Sequence, residues 1–483
     1  SVGLTSPSTS HHPKAMRTHT PSSTPASPPL PTDPEAFLRH LFDVAVRRAL
    51  PLENMRAMLP PVPQGGRTWV IGAGKAAGAM AQALEQLWPA DAHLAGAVVT
   101  RYGHTPPRPT ALDGQPPRID ILEASHPVPD EAGLAAAERM LAIAQAAQAG
   151  DLVICLMSGG GSALLTAPAA GLTLADKQRL NQALLDSGAG IGDMNCVRKH
   201  LSQIKGGRLG LACAPAQLVT LAISDVPGDD VGVIASGPTV PDRTTCADAM
   251  AILERLNIDL PAPVWAALRD GSLESPKPDH PVWATHRVSL IATPRDALQA
   301  AASVVNAASL PAYILSDDLE GESREVGRVH AALATGAASG LGRTKPQDFS
   351  AFKVPCVILS GGETTVTIKK HPPERGLAKG RGGRAAEFCM GLAQALNGHA
   401  GIWGLAADTD GIDGIEHNAG ALVTPSTLTR AAAAGVSLSD CLTRNDGFGF
   451  FNAIGDLVVT GPTHTNVNDF RAILVMPGSA SVE

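Results

Sequence analysis

Six short apolar runs, at 68–72, 94–100, 119–123, 151–157, 217–223 and 288–292, are rich in β-branched residues and recur along the first part of the chain. Between several of them lie stretches of helical length, such as the Ala-rich segments 76–87 and 131–147. Strands separated by helix-length patterns imply parallel βαβ units, because a parallel pair needs a long crossover. A doubly wound sheet is the expected outcome, with ligands beyond the carboxyl ends of its strands. Two glycine-rich turns, Gly72-Ala73-Gly74-Lys75 and Ser158-Gly159-Gly160-Gly161-Ser162, would fall at such ends.

A chain of 483 residues exceeds what one simple core supports, so at least two domains are expected. Residues 1–33 are Ser, Thr, Pro and His with almost no apolar content and read as a disordered tail, within which Met16 is a candidate start. Asp33-Pro34-Glu35 is a fair helix start, with apolar positions 37, 38, 41, 42 and 45 following at helical spacing. A second block begins near 354, with strand-like runs at 354–359, 364–368, 402–406, 419–423 and 456–459 around a helix at 384–396. The expected division is therefore a first lobe at 34–285, a connecting α/β segment and linker at 286–353 (its polar part at 340–352), and a second domain at 354–483.

Only 17% of residues are charged and 3% aromatic, so the core must be built largely of Ala, Leu and Val. The formal net charge of -7 argues against nonspecific binding to nucleic acid or to an acidic membrane. No apolar run approaches a membrane span of roughly 18–20 residues. The seven cysteines, at 155, 196, 213, 246, 356, 389 and 441, lack metal-ligand spacing and read as reduced thiols, so a cytoplasmic protein is expected.

The turn at 158–162 follows a strongly apolar run and precedes Ala163-Leu164-Leu165. Three glycines let backbone amides converge on one point, which is how an anion is cradled without charged side chains. The spacing is neither a Walker P-loop nor the nucleophile-elbow frame. At 72–78 the spacing is G-x-G-x-x-x-G with Lys75 on the crest, and the next strand ends at Thr100-Arg101, without the acidic residue that would hold a nicotinamide cofactor's ribose. Asn195, Arg198, Lys199, Ser202, Lys205 and Arg208 recur at spacings compatible with one helical face, interrupted by Gly206-Gly207. Asp225, Asp229 and Asp230 follow one strand, and Asp408, Asp410 and Asp413 follow another. Carboxylates at strand ends suit Mg²⁺, whereas an EF-hand is excluded because no Glu closes the second run. Histidines 126, 200, 417 and 464 are dispersed, and none pairs into a zinc motif. An anion cradle, cations and carboxylates together point to phosphoryl transfer.

These motifs, with Ser125–Asp130 as 125–130, 223–229, Ser236-Gly237-Pro238-Thr239, 359–364, 380–387, 407–414 and 460–469, resemble the class II glycerate kinases with a MOFRL C-terminal domain, over roughly 35–475. The resemblance implies a Rossmann-like doubly wound lobe, a smaller α/β lobe, and an active site between them. It implies ATP-dependent phosphorylation of D-glycerate at the 2-hydroxyl, with Mg²⁺ or another divalent cation, in a monomer or homodimer. Members often carry a hydroxypyruvate reductase label, and an NAD(P)-dependent reductase is the alternative. On this footing Lys75, Arg384 and Asp225 are the expected catalytic residues. Lys75, Arg198, Lys199, Arg384 and Ser158 would bind substrate. Ser158, Gly159, Gly160, Gly161, Ser162, Lys205 and Asn466 would bind ATP, and the metal would lie among Asp225, Asp408 and Asp410. The chain departs from the family pattern at Ala385-Ala386, where an amide pair is usual, and at His464, where a glycine is usual.

Overall fold

Asp33 caps the first helix, Pro34–Arg48, its Oδ1 accepting from Ala36 N at 3.1 Å, as an Asp before Pro-Glu predicts. The computed structural model describes residues 32–340, 352–368 and 380–477. Met16, residues 1–31 of the expected tail and residues 341–351 of the expected linker lie outside them.

The first sheet contains β1 (Thr68–Ala73), β2 (Ala95–Arg101), β3 (Ile119–Ala124), β4 (Leu152–Met157), β5 (Gln217–Ile223) and β6 (His286–Ala292). All pair in parallel, in the order β3-β2-β1-β4-β5-β6. This is the doubly wound order, and it reverses between β1 and β4. Alternate residues serve opposite faces. Val70, Ile154 and Leu156 pack with the helix Ala77–Leu87, while Ile71, Val153 and Cys155 pack with the helix Glu131–Ala146. Covering both faces is what makes these strands continuous apolar runs.

The second sheet contains β7 (Ala312–Ile314), β8 (Cys356–Gly362), β9 (Ile402–Asp408), β10 (Gly420–Val423), β11 (Leu457–Val458) and β12 (Asp469–Val475). Its order is β11-β10-β9-β12-β8-β7, antiparallel except for β7 on β8. The helix Arg384–Leu396 packs on it through Phe388, Cys389, Met390 and Leu392. Residues 364–368 form no strand, because Thr365 makes only an isolated bridge with Glu322. The segment 286–353 is divided between the sheets: β6 closes the first, and β7 joins the second.

The helix Pro34–Arg48 packs beside the helix Pro294–Ala307, and both lie against the second sheet. One core cluster runs from Phe37, Leu41 and Phe42 to Phe470 and Leu474 and on to Val70 and Ile154, joining the lobes. The seven cysteines are buried and unpaired. No helix of the described residues is long and apolar enough to cross a membrane.

Candidate active site between the lobes

The two glycine-rich turns follow β1 and β4, the neighbours between which the strand order reverses, so the crevice of the doubly wound sheet opens over both. They are stitched together: Lys75 N donates to Gly159 O at 2.9 Å, Ser158 N to Ala73 O at 3.1 Å, and Ala76 N to Ser158 Oγ at 3.1 Å. Gly74 adopts φ 140°, and a Cβ there would lie 2.0 Å from Ser158 Oγ. Ser158 is fully buried. It therefore joins the two turns, its Oγ accepting from Ala76 N. Gly160, at φ 85°, opens the short helix Gly161–Leu164. Leu164 N and Leu165 N bond back to Gly160 O and Gly161 O, leaving ahead of them the first amides, which a helix cannot satisfy internally.

The opposite wall is built by register. Asp469, first residue of β12, lies across from Asp408 at the end of β9 and from Gly362 at the end of β8. Residues directly opposite share a face, so Asp408, Asp469 and Glu363 converge at one sheet edge. Arg384, first residue of its helix, fills the gap: Nη2 donates to Asp408 Oδ2 at 2.9 Å and Asp469 Oδ1 at 3.2 Å, and Nη1 bonds Glu363. Burial works against the charge on Arg384, yet Asp469, Asp408 and Glu363 outweigh it and hold its pKa above the ordinary value. With three carboxylates around it, the guanidinium neutralises this edge. Asp413 accepts from Ala385 N and Ala386 N, both at 2.9 Å, and so caps the same helix.

The walls meet at Asp225 and Asp410. Lys75 Nζ and Arg101 Nη2 each lie 3.9 Å from Asp410 Oδ2. Asp225 lies so close to Gly159 that a Cβ there would be 1.8 Å from Oδ2. From the second lobe Asn466 Nδ2 donates to Asp225 Oδ2 at 3.3 Å, and Asn468 Nδ2 to Asp225 O at 2.6 Å. Asn466 thus links the second lobe to the Asp225 carboxylate. Burial lifts the Asp225 pKa to about 6 against the pull of Lys75. Burial likewise lifts Asp469 to about 6, and burial with neighbouring Asp410 holds Asp408 well above the carboxylate range. Burial, then Lys75 and Arg101, lower His126 to about 4, so it is uncharged at neutral pH. His464 sits at φ 63°, the left-handed backbone that the usual glycine adopts freely.

The expected cationic face is not one helix. The helix Ile191–His200 ends, Gly206 and Gly207 take φ 67° and 88°, and a short helix Arg208–Ala212 follows. Arg208 spends its donors on the carbonyls of Lys199, Lys205 and Leu273. The Lys199 ammonium lies 3.7 Å from where a Gly232 Cβ would sit and acts on Asp242. Lys205 reaches the 158–162 turn, its Nζ donating to Ser162 O at 2.6 Å, and feels the charge of Arg198. Asp230 accepts from Gly232 N and forms a turn. Sequence reasoning missed Glu363, Asp469, Arg101, Asn468 and Lys177. The first two needed the position of β12, and the two cations sit on elements with no motif around them.

A separate group, His200, Cys246 and Glu274, has potential ligand atoms within 4.8 Å of one another. Lys277 Nζ lies 2.6 Å from Glu274 Oε1, and His200 Nε2 lies 3.2 Å from the same oxygen. The ammonium occupies the carboxylate, so the group is a polar network.

Fold and site together define a two-lobed α/β protein with a charged cleft at the switch point of its doubly wound sheet. Residues 37–269 match a family described as a domain of unknown function (DUF4147), and 356–469 match the MOFRL family. The D-glycerate 2-kinase of Thermotoga maritima is 35% identical over 447 residues, 92% of this chain and 100% of that protein. A crystal structure of glycerate kinase from Thermotoga maritima superposes with a TM-score of 0.78 at 34% identity, covering 91% of this chain and 98% of that one. An Agrobacterium vitis protein bearing a provisional hydroxypyruvate reductase name is 52% identical over 438 residues, 91% of this chain and 94% of that protein. The chain belongs to the class II glycerate kinase family, whose second domain is the MOFRL domain.

Proposed function

We propose that this protein transfers the γ-phosphoryl group of ATP to the 2-hydroxyl of D-glycerate, releasing 2-phosphoglycerate and ADP. The observation that carries the reading is the meeting of Lys75 and the glycine turn with Asp225, Asp408 and Asp410 across one cleft. The ATP phosphates rest on the amides of Gly159, Gly160, Gly161 and Ser162. Lys75, beside Gly160 and Asp410, supplies the mobile cation that meets charge developing on the transferred group.

Carboxylates whose pKa values are raised by burial and by one another form a donor set for a hard divalent cation. Asp225, Asp408 and Asp410 would hold Mg²⁺, which when bound neutralises phosphate charge. Arg384 fixes the Asp408 edge and so positions that set. A strong general base is not required, since phosphoryl transfer is mainly positioning and charge neutralisation.

The reductase alternative would need a dinucleotide on 72–78. Against it, β2 ends at Arg101, which faces Asp410, and no acidic residue stands there to hold a ribose. Purified protein with ATP, Mg²⁺ and D-glycerate, coupled through enolase, tests the proposal. Enolase alone should report product. Signal only after adding phosphoglycerate mutase would overturn the 2-hydroxyl assignment. Silence in both, with nicotinamide oxidation on hydroxypyruvate, would favour the reductase.

A further inference from the structure

Lys177 lies on the helix Leu174–Asp186, which Thr173 and Asp176 close with a capping box and which Gln178 ties to Pro129 O at 2.7 Å. The lysine is 1% exposed, and its Nζ has no hydrogen-bond partner among the described residues. Its charged neighbours are also cations. Burial first, then Arg198, pulls the Lys177 pKa down to about 7. Burial, then Lys177 and Arg198, pulls Lys205 well below its ordinary value. No carboxylate contributes to either shift.

A polar relay runs from Ser162, whose carbonyl Lys205 holds, to Ser236 and Asn195. Asn195 Nδ2 is buried without a partner. Asn195 Oδ1 accepts from Ser236 Oγ at 3.3 Å, and Ser236 Oγ meets Ser162 Oγ at 2.9 Å. Ser236 is carried there by a left-handed backbone, φ 53° at Ala235 and 62° at Ser236, a conformation costly for residues other than glycine. An apolar side chain at 177 would bury without penalty, whereas a buried unpaired ammonium beside two like charges is expensive. That arrangement fits a missing anion.

The cleft also separates its charges. Carboxylates gather at the second lobe and at Asp225, where a metal-bound polyphosphate belongs, while a divalent cation would be repelled from Lys177, Arg198 and Lys205. The anion suited to the cationic side is one that no metal chelates. We propose that Lys177, with Arg198 and Lys205, forms a buried chamber that binds the carboxylate of the acceptor, a small 2-hydroxy acid, and thereby selects acids over neutral polyols. The inference rests on the kinase reading above and names the side chain that reads its acceptor.

Lys177→Met in the full chain tests it. The variant should melt no lower than wild type, because it removes an unpaired buried charge. Its KM for D-glycerate should rise by about 10- to 100-fold, the loss of a charge-assisted contact, with KM for ATP held within about twofold. Calorimetric titration with D-glycerate in the absence of ATP should show binding to wild type and loss in the variant. Proton uptake on binding, read in buffers of different ionisation enthalpy above about pH 7, should accompany wild type only. Turnover in wild type with an unchanged glycerate KM in the variant overturns the chamber and leaves the kinase standing. A raised KM for ATP alone assigns the trio to nucleotide phosphates and overturns it as well. Binding lost in the variant without turnover in wild type supports the chamber and sinks the kinase reading. Absence of both binding and turnover in folded wild type overturns both.

Discussion

Asp408 and Asp469 stand opposite one another in the β9–β12 ladder, and Arg384 Nη2 donates to both, at 2.9 and 3.2 Å. Two carboxylates facing each other across a ladder repel, so the sheet edge depends on the guanidinium between them. Each carboxyl is lifted by burial, and Asp408 by Asp410 as well.

Arg384→Ala should therefore damage stability and chemistry together. Leaving the buried carboxylates without their cation costs on the order of 3 kcal/mol, and the edge carrying Asp408 loses its shape. Arg384→Lys should recover little, since an ammonium cannot bridge as a planar fork does. Melting temperature and kcat measured on both variants check this; a lysine variant close to wild type in both would contradict it.

Lys75→Ala should separate the two effects. The side chain is 22% exposed and contacts Asp410 only at 3.9 Å, so little packing depends on it. Turnover should fall by about 10²- to 10³-fold, the scale of losing one electrostatic stabiliser, while circular dichroism and melting stay near wild type. Near-normal turnover would remove Lys75 from the chemistry.

The carboxyls of Asp225 and Asp469 should lend metal-free protein stability that is lost as pH rises. Burial lifts Asp225 and Asp469 from 3.8 to about 6, so the folded chain retains protons that the unfolded chain has released. The stabilisation from protonation is complete below the ordinary carboxylate pKa and disappears as pH rises through about 6. Because His126 and His330, lowered to about 4 by burial, act in the opposite sense, the readout is the difference in melting temperature between wild type and Asp225→Asn in chelator, which should fall from about pH 5 to about pH 7, less so with Mg²⁺. A difference that grows over the same interval would reverse the sign assigned here.

Gly159→Ala should act through Asp225. The added Cβ would sit 1.8 Å from Asp225 Oδ2, which forces the carboxylate aside together with its bond from Asn466. Activity should fall and the Mg²⁺ concentration needed for half-maximal rate should rise. An alanine variant with wild-type Mg²⁺ dependence would show that Asp225 holds no metal.

Asp413→Ala removes the acceptor for Ala385 N and Ala386 N. A lost helix cap costs about 0.5–2 kcal/mol, and here it also loosens Arg384 at the helix start. Denaturant unfolding should show that loss, with a smaller fall in kcat than for Arg384→Ala.

Much of this could be read along the chain because its signals are local. The six strands of the first sheet each carry an apolar run, and Asp33-Pro34 starts a helix by rules that involve three or four neighbours. β12 was not recognised, although it is the middle of the second sheet. Its Arg471 interrupts the apolar pattern, and only the fold shows that the guanidinium is buried over Phe388 and bonded to Gly361 O and Gly362 O. With β12 went Asp469 and the convergence of Glu363 and Asp408, which is a matter of register between distant segments. Lys177 was invisible for a related reason: one lysine in a polar helix is unremarkable until its neighbours in space prove to be cations. At Ser158 the sequence shows a hydroxyl in a glycine turn but not that its Oγ accepts from Ala76 N of the neighbouring turn.

Arg48, at the end of the first helix, donates to Ile291 O at 3.2 Å and pairs with Asp296 at 3.4 Å. The chain passes from the second lobe to the first just after Arg48 and returns just after Ile291, so both covalent crossings lie side by side under one guanidinium. A body attached by two crossings at a single place swings like a door on one pin: rotation about that point is easy, and sliding or separation is not. Beyond that pivot the lobes are also held by the shared core from Phe37 and Phe470 to Val70 and Ile154 and by the bonds of Asn466 and Asn468 to Asp225. The second lobe cannot be cut free at one point in the chain, because its helix Pro34–Arg48 precedes the whole of the first sheet.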